Sequence, residues 1–344
     1  MTVFTLKVVE IRKEIDDAVT LCFKQPGLKK IKYLAGQYIT LIIRINGRRY
    51  IRPYSFSSCP EIDKNLEVTV KRVPNGIVSN HINDVVKEGD AIEVLSAMGD
   101  FIFNEFDGQK SIYLWGIGSG ITPLISITKF VLNKISDLKV NLIYGNKNFE
   151  NTIFLDQILQ LSEAFPDRII VQHFHTRLKV DEQLPDVIQG RIDKSKVISI
   201  VQKDKDLEHS AHYICGPAGL KKSVKEGLRN FNIDEAKIFS EEFELIKDPK
   251  DFIDIHTRQL NIEFNGKNIT LEVVKGKSIL EAGLDADIEL PYSCQTGNCS
   301  TCKGKLLKGQ VKMIGLNKKR EDLKDDEYLL CCSHPLTDDV SIKI

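Results

Sequence analysis

Nine residues near the C-terminus, Cys294-Gln295-Thr296-Gly297-Asn298-Cys299-Ser300-Thr301-Cys302, constrain this chain more than any other stretch. A fourth cysteine, Cys331, stands well downstream. Cys-x4-Cys-x2-Cys with a remote fourth Cys is the plant-type ligand spacing for a [2Fe–2S] cluster. Irons bridged by sulfide take soft thiolate donors, and four thiolates complete the coordination of two irons. Ser293, Gly297, Ser300 and Thr301 are small, so backbone N–H groups can approach the sulfurs. Structural zinc is the competing use of four cysteines, but zinc ribbons usually carry two short Cys pairs. Here three ligands are bunched and one is remote.

The remaining cysteines, Cys22, Cys59, Cys215 and Cys332, are scattered, which favours a reducing compartment over a disulfide framework. The segment Met1–Lys7 has no basic stretch followed by a long apolar run, so a cytoplasmic location is expected. No apolar run is long enough to span a bilayer. The 344 residues leave room for roughly two or three domains. Lys+Arg and Asp+Glu are both 48, which argues against a nucleic-acid binder.

Residues 1–107 read as short strands: Phe4–Ile11, Val19–Lys24, Tyr38–Ile45, Leu66–Arg72 and Ala91–Leu95. Pro26-Gly27, Asn46-Gly47, Pro74-Asn75-Gly76 and Glu88-Gly89-Asp90 punctuate them. Such spacing favours a closed antiparallel barrel. Within it, Arg52-Pro53-Tyr54-Ser55 offers a cation for a phosphate, a ring to stack and a hydroxyl to bond, which together suit a flavin. An exposed Arg beside a strand Tyr is by itself ordinary. Gly76-Ile77-Val78-Ser79-Asn80 adds amides and a hydroxyl before a short helix expected over Asn80–Val86, whose N-terminus favours an anion. Met98-Gly99-Asp100-Phe101 closes the barrel and reads equally well as a simple turn.

Residues 108–243 alternate strand and helix patterns. The strand Ser111–Trp115 runs into Gly116-Ile117-Gly118-Ser119-Gly120-Ile121-Thr122-Pro123 and an amphipathic run through Leu132. Strand, glycine turn and helix bring backbone amides to a diphosphate, although the G-x-G-x-x-G pattern is only half met. Val140–Tyr144 ends in Gly145-Asn146-Lys147. A helix over Ile153–Ala164 and strands at Ile169–Phe174 and His212–Ile214 follow, the last ending in Cys215-Gly216-Pro217 before a helix at Leu220–Phe231. Ligands bind at the C-terminal ends of such strands. Taken alone, Cys215 would be a small buried hydrophobe. Ile238–Phe243 reads as a closing strand with solvated carboxylates. The charged, Pro-broken segment 244–257 reads as a linker, and a third domain spans 258–344.

Together these motifs resemble the ferredoxin–NADP reductase superfamily fused to a plant-type ferredoxin. The carriers are Arg52-Pro53-Tyr54-Ser55, Gly76-x-x-Ser79, Gly118–Pro123, Tyr144-Gly145-Asn146, Gly190-Arg191-Ile192-Asp193, Cys215-Gly216-Pro217 and the four cysteines. Their order is similar to that in the reductase components of bacterial multicomponent oxygenases, the phenylacetyl-CoA epoxidase type above all. The resemblance implies an FAD-binding β-barrel, an α/β parallel-sheet nucleotide domain and an α+β β-grasp ferredoxin domain. It implies that Arg52, Pro53, Tyr54, Ser55, Val70, Lys71, Gly76, Val78 and Ser79 hold the flavin. Gly118, Gly120, Thr122, Thr176, Arg177, Cys215, Gly216 and Pro217 would line the dinucleotide site. Ser55, Cys215 and Glu241 are the implied catalytic set, with Glu241 or Phe243 at the family's C-terminal position beside the flavin. Cys294, Cys299, Cys302 and Cys331 are the implied metal ligands; Cys331 is preferred to its neighbour Cys332 because it stands four residues before Pro335. FAD is implied, although reductases of the phthalate dioxygenase type share this order and use FMN. Thr176-Arg177 after the third strand of the nucleotide domain points to NADPH, with NADH the alternative.

The expected activity follows from electron counting. NAD(P)H gives electrons in pairs, the cluster takes one at a time, and a flavin converts between them. The expected acceptor is an oxygenase; a lipid desaturase or a sugar deoxygenation enzyme are alternatives. A non-enzymatic redox sensor is a different class of reading, which the glycine turns and the Arg52 motif disfavour. Residues 258–344 hold 13 Lys+Arg and 13 Asp+Glu, so no strongly acidic docking face is expected. Lys303, Lys305, Lys308 and Lys312 read as solvated lysines.

Overall fold

The computed structural model describes residues 2–27, 30–177, 187–231, 233–245, 247–316 and 320–344. The chain forms two compact units, Met1–Glu242 and Phe243–Ile344.

The first unit opens with strands β1 (Val3–Ile15), β2 (Ala18–Phe23), β3 (Tyr38–Ile45), β4 (Arg48–Ser55) and β5 (Leu66–Lys71). Helix α1 (Ile77–Asp84) and strand β6 (Ala91–Met98) complete this half. The antiparallel order is β4-β3-β6-β1-β2-β5, and a Phe56–Val68 bridge joins the two ends into a barrel. Alternate apolar side chains fill its interior, among them Leu6, Leu21, Phe23, Ile39, Leu41 and Val68. Strand β4 escapes the sequence reading because only Ile51 and Ser55 along it are buried. Its Pro53 is tolerated because β4 pairs along its length with β3 alone. Helix α1 starts three residues earlier than expected. Ser79 and Asn80 look like caps but lie inside the first turn and bond backwards: Ser79 Oγ accepts from Val73 N at 3.0 Å and Asn80 Nδ2 donates to Gly76 O at 2.8 Å.

The second half of this unit is a parallel sheet ordered β10-β9-β8-β7-β11-β12. Its elements in chain order are β7 (Ser111–Ile117), α2 (Ile121–Lys134), β8 (Lys139–Asn146), α3 (Leu155–Ala164) and β9 (Ile169–His175). After them come β10 (Val187–Gln189), α4 (Lys194–Val201), β11 (Ser210–Cys215), α5 (Ala218–Leu228) and β12 (Ile238–Glu241). Helix α2 is not the half-exposed helix its sequence suggests. Nearly its whole length is buried, Ser126, Thr128 and Lys129 included, because it lies between sheet and barrel. Ser126 Oγ donates to Ser58 O at 2.6 Å. Lys129 Nζ donates to Ser57 O at 3.1 Å and pairs with Asp63 at 2.9 Å. A buried ammonium survives only with such partners, so this group fastens the two halves together.

The second unit holds β13 (Arg258–Phe264), β14 (Lys267–Val273), α6 (Ile279–Asp285), β15 (Lys303–Lys308), β16 (Val311–Met313), β17 (Glu327–Leu329), β18 (Ser333–Pro335) and β19 (Ser341–Lys343). Five strands form a mixed sheet, β14-β13-β19-β15-β17, and β16 pairs with β18. A capping box starts α6: Ser278 Oγ accepts from Glu281 N, and Glu281 accepts from Ser278 N. The segment expected as a free linker is partly fastened to this unit. Lys312 Nζ donates to Asp251 O at 2.9 Å, Lys247 pairs with Glu281 at 3.3 Å, and Phe252 meets His334 edge-on at 5.1 Å.

Candidate active site and metal centre

Three strand ends meet in register in the first unit. Cys215 at the end of β11 lies beside Gly116 of β7 on one side and Glu241 of β12 on the other. Ser55, the last residue of β4, donates from Oγ to Glu241 Oε2 at 3.3 Å. Ser55, Cys215 and Glu241 are thereby collected where barrel and parallel sheet join, although they lie far apart in sequence. Burial, reinforced by the neighbouring charges of Glu242 and Asp100, pushes the Glu241 carboxyl up to about 8, against the Ser55 hydrogen bond. Burial likewise holds the Cys215 thiol well above its ordinary value, with Glu241 and Glu242 adding to it. Cys215 is wholly buried and stays a neutral thiol; it is not an activated nucleophile. The solvated carboxylates expected at the end of β12 are absent there. Glu242 is buried against Lys221 at 2.7 Å, and Phe243, not Glu241, is the exposed residue.

The barrel residues fit a bound dinucleotide flavin in part through side chains and in part through backbone. Arg52 is half-buried, donates to Ile51 O at 2.8 Å and has no carboxylate partner among the described residues, which leaves its cation available to a phosphate. Pro53 and Tyr54 flank it, both half-buried. Helix α1 has no side-chain cap, so its first amides are open to an anion. Gly76 gives those amides their tight approach: a Cβ there would stand 2.6 Å from Ser79 Oγ. The Val70 and Val78 side chains are packed into the barrel core, so these residues present backbone rather than side chain to a ligand. The Ser79 hydroxyl is already engaged in the 73–76 turn.

The glycine turn after β7 divides its labour. Gly120 is a packing residue: a Cβ would fall 2.1 Å from Cys215 O, so only glycine lets α2 begin directly against the end of β11. A Cβ at Gly118 would meet only Lys71 Nζ, at 4.0 Å. This open cradle, lined by a cation from β5, suits a phosphate. Helix α2 also lacks a side-chain cap, and the buried Thr122 hydroxyl closes the turn by donating to Ser119 O at 3.0 Å. Gly216 and the exposed Pro217 lead into α5, which is equally uncapped. Thr176 and Arg177 are exposed beyond β9, where their backbone N–H groups donate to Asn146 O and Lys147 O. Arg191, part of the Gly190–Asp193 motif, is exposed just past the end of β10, the strand beside β9. Sequence reading missed α4, although its N-cap was visible: Asp193 Oδ1 accepts from Lys196 N at 3.0 Å.

In the second unit, Cys294, Cys302 and Cys331 are buried and Cys299 is half-buried. Their sulfurs form two close pairs, Cys294 with Cys299 and Cys302 with Cys331. Two pairs suit two irons better than one tetrahedral zinc. The Cys299 amide points at Cys294 Sγ at 3.3 Å and the Thr296 amide at 3.4 Å, the donors a sulfur-rich centre needs. The hydrogen bond between Cys294 and Cys299 holds the Cys299 thiol below its ordinary value and raises that of Cys294. Gly297, at φ +76°, is the only residue type that fits its place: a Cβ would press Leu316 at 2.5 Å and Cys332 Sγ at 2.9 Å. Cys332 is wholly buried, with its sulfur 3.6 Å from Cys331 Sγ.

Three family descriptions match in succession: an oxidoreductase FAD-binding domain over residues 5–103, an oxidoreductase NAD-binding domain over 114–226, and a 2Fe-2S iron-sulfur cluster binding domain over 262–337. The chain is 28% identical to one component of the 1,2-phenylacetyl-CoA epoxidase of Escherichia coli (strain K12), across 99% of this chain and 98% of that protein. It is 29% identical to the ferredoxin reductase component of 3-ketosteroid-9-alpha-monooxygenase from Mycobacterium tuberculosis (strain ATCC 25618 / H37Rv), across 99% and 95%. Among solved structures, phthalate dioxygenase reductase has the same fold, with a TM-score of 0.69, 23% identity, and coverage of 99% of this chain and 98% of that one.

Proposed function

Because the chain is a reductase of the ferredoxin–NADP reductase type with a C-terminal ferredoxin domain, an NAD(P)H-dependent oxidoreductase that uses FAD and a [2Fe–2S] cluster, we propose that it supplies electrons to an oxygenase, most closely one of the phenylacetyl-CoA epoxidase kind. The observation that supports the catalytic assignment is the Ser55–Glu241 bond set beside Cys215. A flavin held here would supply the conversion between paired and single electrons. Arg52, Lys71 and the open amides of α1 would hold the flavin's phosphates, with Pro53 and Tyr54 available to its ring system. Gly118 and the start of α2 receive the diphosphate of the nicotinamide nucleotide, Gly216-Pro217 walls the reacting end, and Arg177 beside Thr176 selects the 2′-phosphate of NADPH. At neutral pH, Glu241 carries a proton on one carboxyl oxygen while accepting from Ser55 on the other, and Cys215 stays neutral beside it. Neither Glu241 nor Cys215 then carries a charge of its own beside the reacting ring.

The domains we assign are residues 1–107 for flavin, 108–243 for nucleotide and 258–344 for the cluster, with 244–257 between them. Reconstitution with the oxygenase components of a phenylacetyl-CoA epoxidase tests the partner. Product formation coupled to NADPH use supports the reading. Cluster reduction by NADPH with no product from that oxygenase overturns the partner assignment.

A further inference from the structure

A loop that turns its N–H groups inward to sulfur must turn carbonyls outward, and those carbonyls need donors of their own. Arg320 supplies them. Its Nη1 donates to Gly297 O and, at 3.3 Å, to Cys299 O. Its Nη2 donates to Ser300 Oγ at 2.7 Å. The other edge of the guanidinium is held by Asp322: Nε to Oδ1 and Nη2 to Oδ2, both at 2.8 Å. Ser300 Oγ donates in turn to Asp322 Oδ2 at 2.8 Å, which closes an Arg–Ser–Asp ring. The Arg320 side chain is only 9% exposed, although its neighbours in the ring lie at the surface. An ordinary surface ion pair is worth little and would not bury its arginine. Only a planar fork can reach two loop carbonyls, a hydroxyl and a carboxylate together; an ammonium cannot.

We propose that Arg320 is a positioning residue that clamps the 294–302 loop in its cluster-binding form, with Asp322 and Ser300 fixing the guanidinium. The clamp fixes the Gly297 and Cys299 carbonyls, and with them the Cys299 amide aimed at Cys294 Sγ. Holding of the cluster, rather than its ligation, then depends on a residue outside the cysteine motif. The inference rests on the cluster reading above.

The test uses the full chain, with iron and sulfide measured against FAD and loss of the cluster's visible circular dichroism followed in the presence of an iron chelator. Arg320→Gln should lose its cluster to the chelator about tenfold faster, the scale of change seen when outer-shell partners of metal ligands are removed. Arg320→Lys should stay close to Arg320→Gln, because it keeps the charge without the fork. Asp322→Asn, which leaves Arg320 in place and frees its other edge, should fall between wild type and Arg320→Gln, and it serves as the probe should Arg320→Gln fail to fold. Chelator resistance equal to wild type in Asp322→Asn and Arg320→Gln overturns the clamp, as does full rescue by lysine, which would assign the effect to charge. A wild-type chain that holds no iron would instead overturn the cluster reading itself.

Discussion

Cys331 and Cys332 show how much a single position decides. They adjoin in sequence, both are buried, and their sulfurs are 3.6 Å apart, yet only Cys331 pairs with Cys302. Cys331→Ser is expected to abolish stable iron binding and Cys332→Ser to retain it, as iron and sulfide analysis of the two purified variants will show. Equal iron in both would reverse the ligand assignment. Glu241 gives a prediction with a sign. Its carboxyl titrates near 8 in the folded chain, well above its ordinary value of 4.5. Between those two values folding takes up a proton, so Glu241 makes stability fall as pH rises through that window. The same proton belongs to the reacting site. NADPH-driven flavin reduction should therefore decline above about pH 8, and Glu241→Gln should lose that decline; a wild-type basic limb persisting in the variant would assign it to another group. Sequence reading reached Glu241 only through family resemblance. Nothing local distinguishes it from Glu242, because its pairing with Ser55 is made by the fold.

At the scale of elements, the glycines, the strands they end and the cysteine loop were legible, since turn chemistry and alternation are local. Strand β4 was not, because a half-exposed barrel strand with a proline carries almost no apolar alternation. Helix α2 was read as amphipathic because its polar residues, Ser126, Thr128 and Lys129, look solvated until the barrel that covers them is in place. That covering rests on the Lys129–Asp63 pair. Lys129→Met should destabilise the first unit by about 2 kcal/mol, less than the ~3–5 kcal/mol for breaking a fully buried pair, because Asp63 keeps part of its surface in water. Calorimetry measures it; an unchanged melting temperature would deny the pair its fastening role. Gly120→Ala should cost more than an ordinary helix-end substitution, because its methyl meets the backbone of Cys215 and not a side chain that can turn away. A position in a binding motif does not say which way a side chain faces: those of Val70 and Val78 face the core, which leaves their backbone to meet a ligand.

For the whole molecule, three domains in a fixed order make one chemical argument, and the order was visible in the sequence because each domain carries its own local motif. Neither the barrel nor the parallel sheet alone joins a pair donor to a single-electron acceptor, and the cluster unit alone has no donor. No helix among the described residues is long and apolar enough to cross a membrane. The central claim is that electrons enter at the nucleotide and leave singly through the cysteine loop. Anaerobic addition of NADPH to the full chain, followed by electron paramagnetic resonance and absorbance, tests it most directly. Wild type should show a bleached flavin and a reduced [2Fe–2S] signal, and Cys299→Ser should keep the flavin bleaching while losing the cluster signal and the reduction of a one-electron protein acceptor. A chain that holds zinc, or a Cys299→Ser variant that still reduces that acceptor at the wild-type rate, would contradict the account.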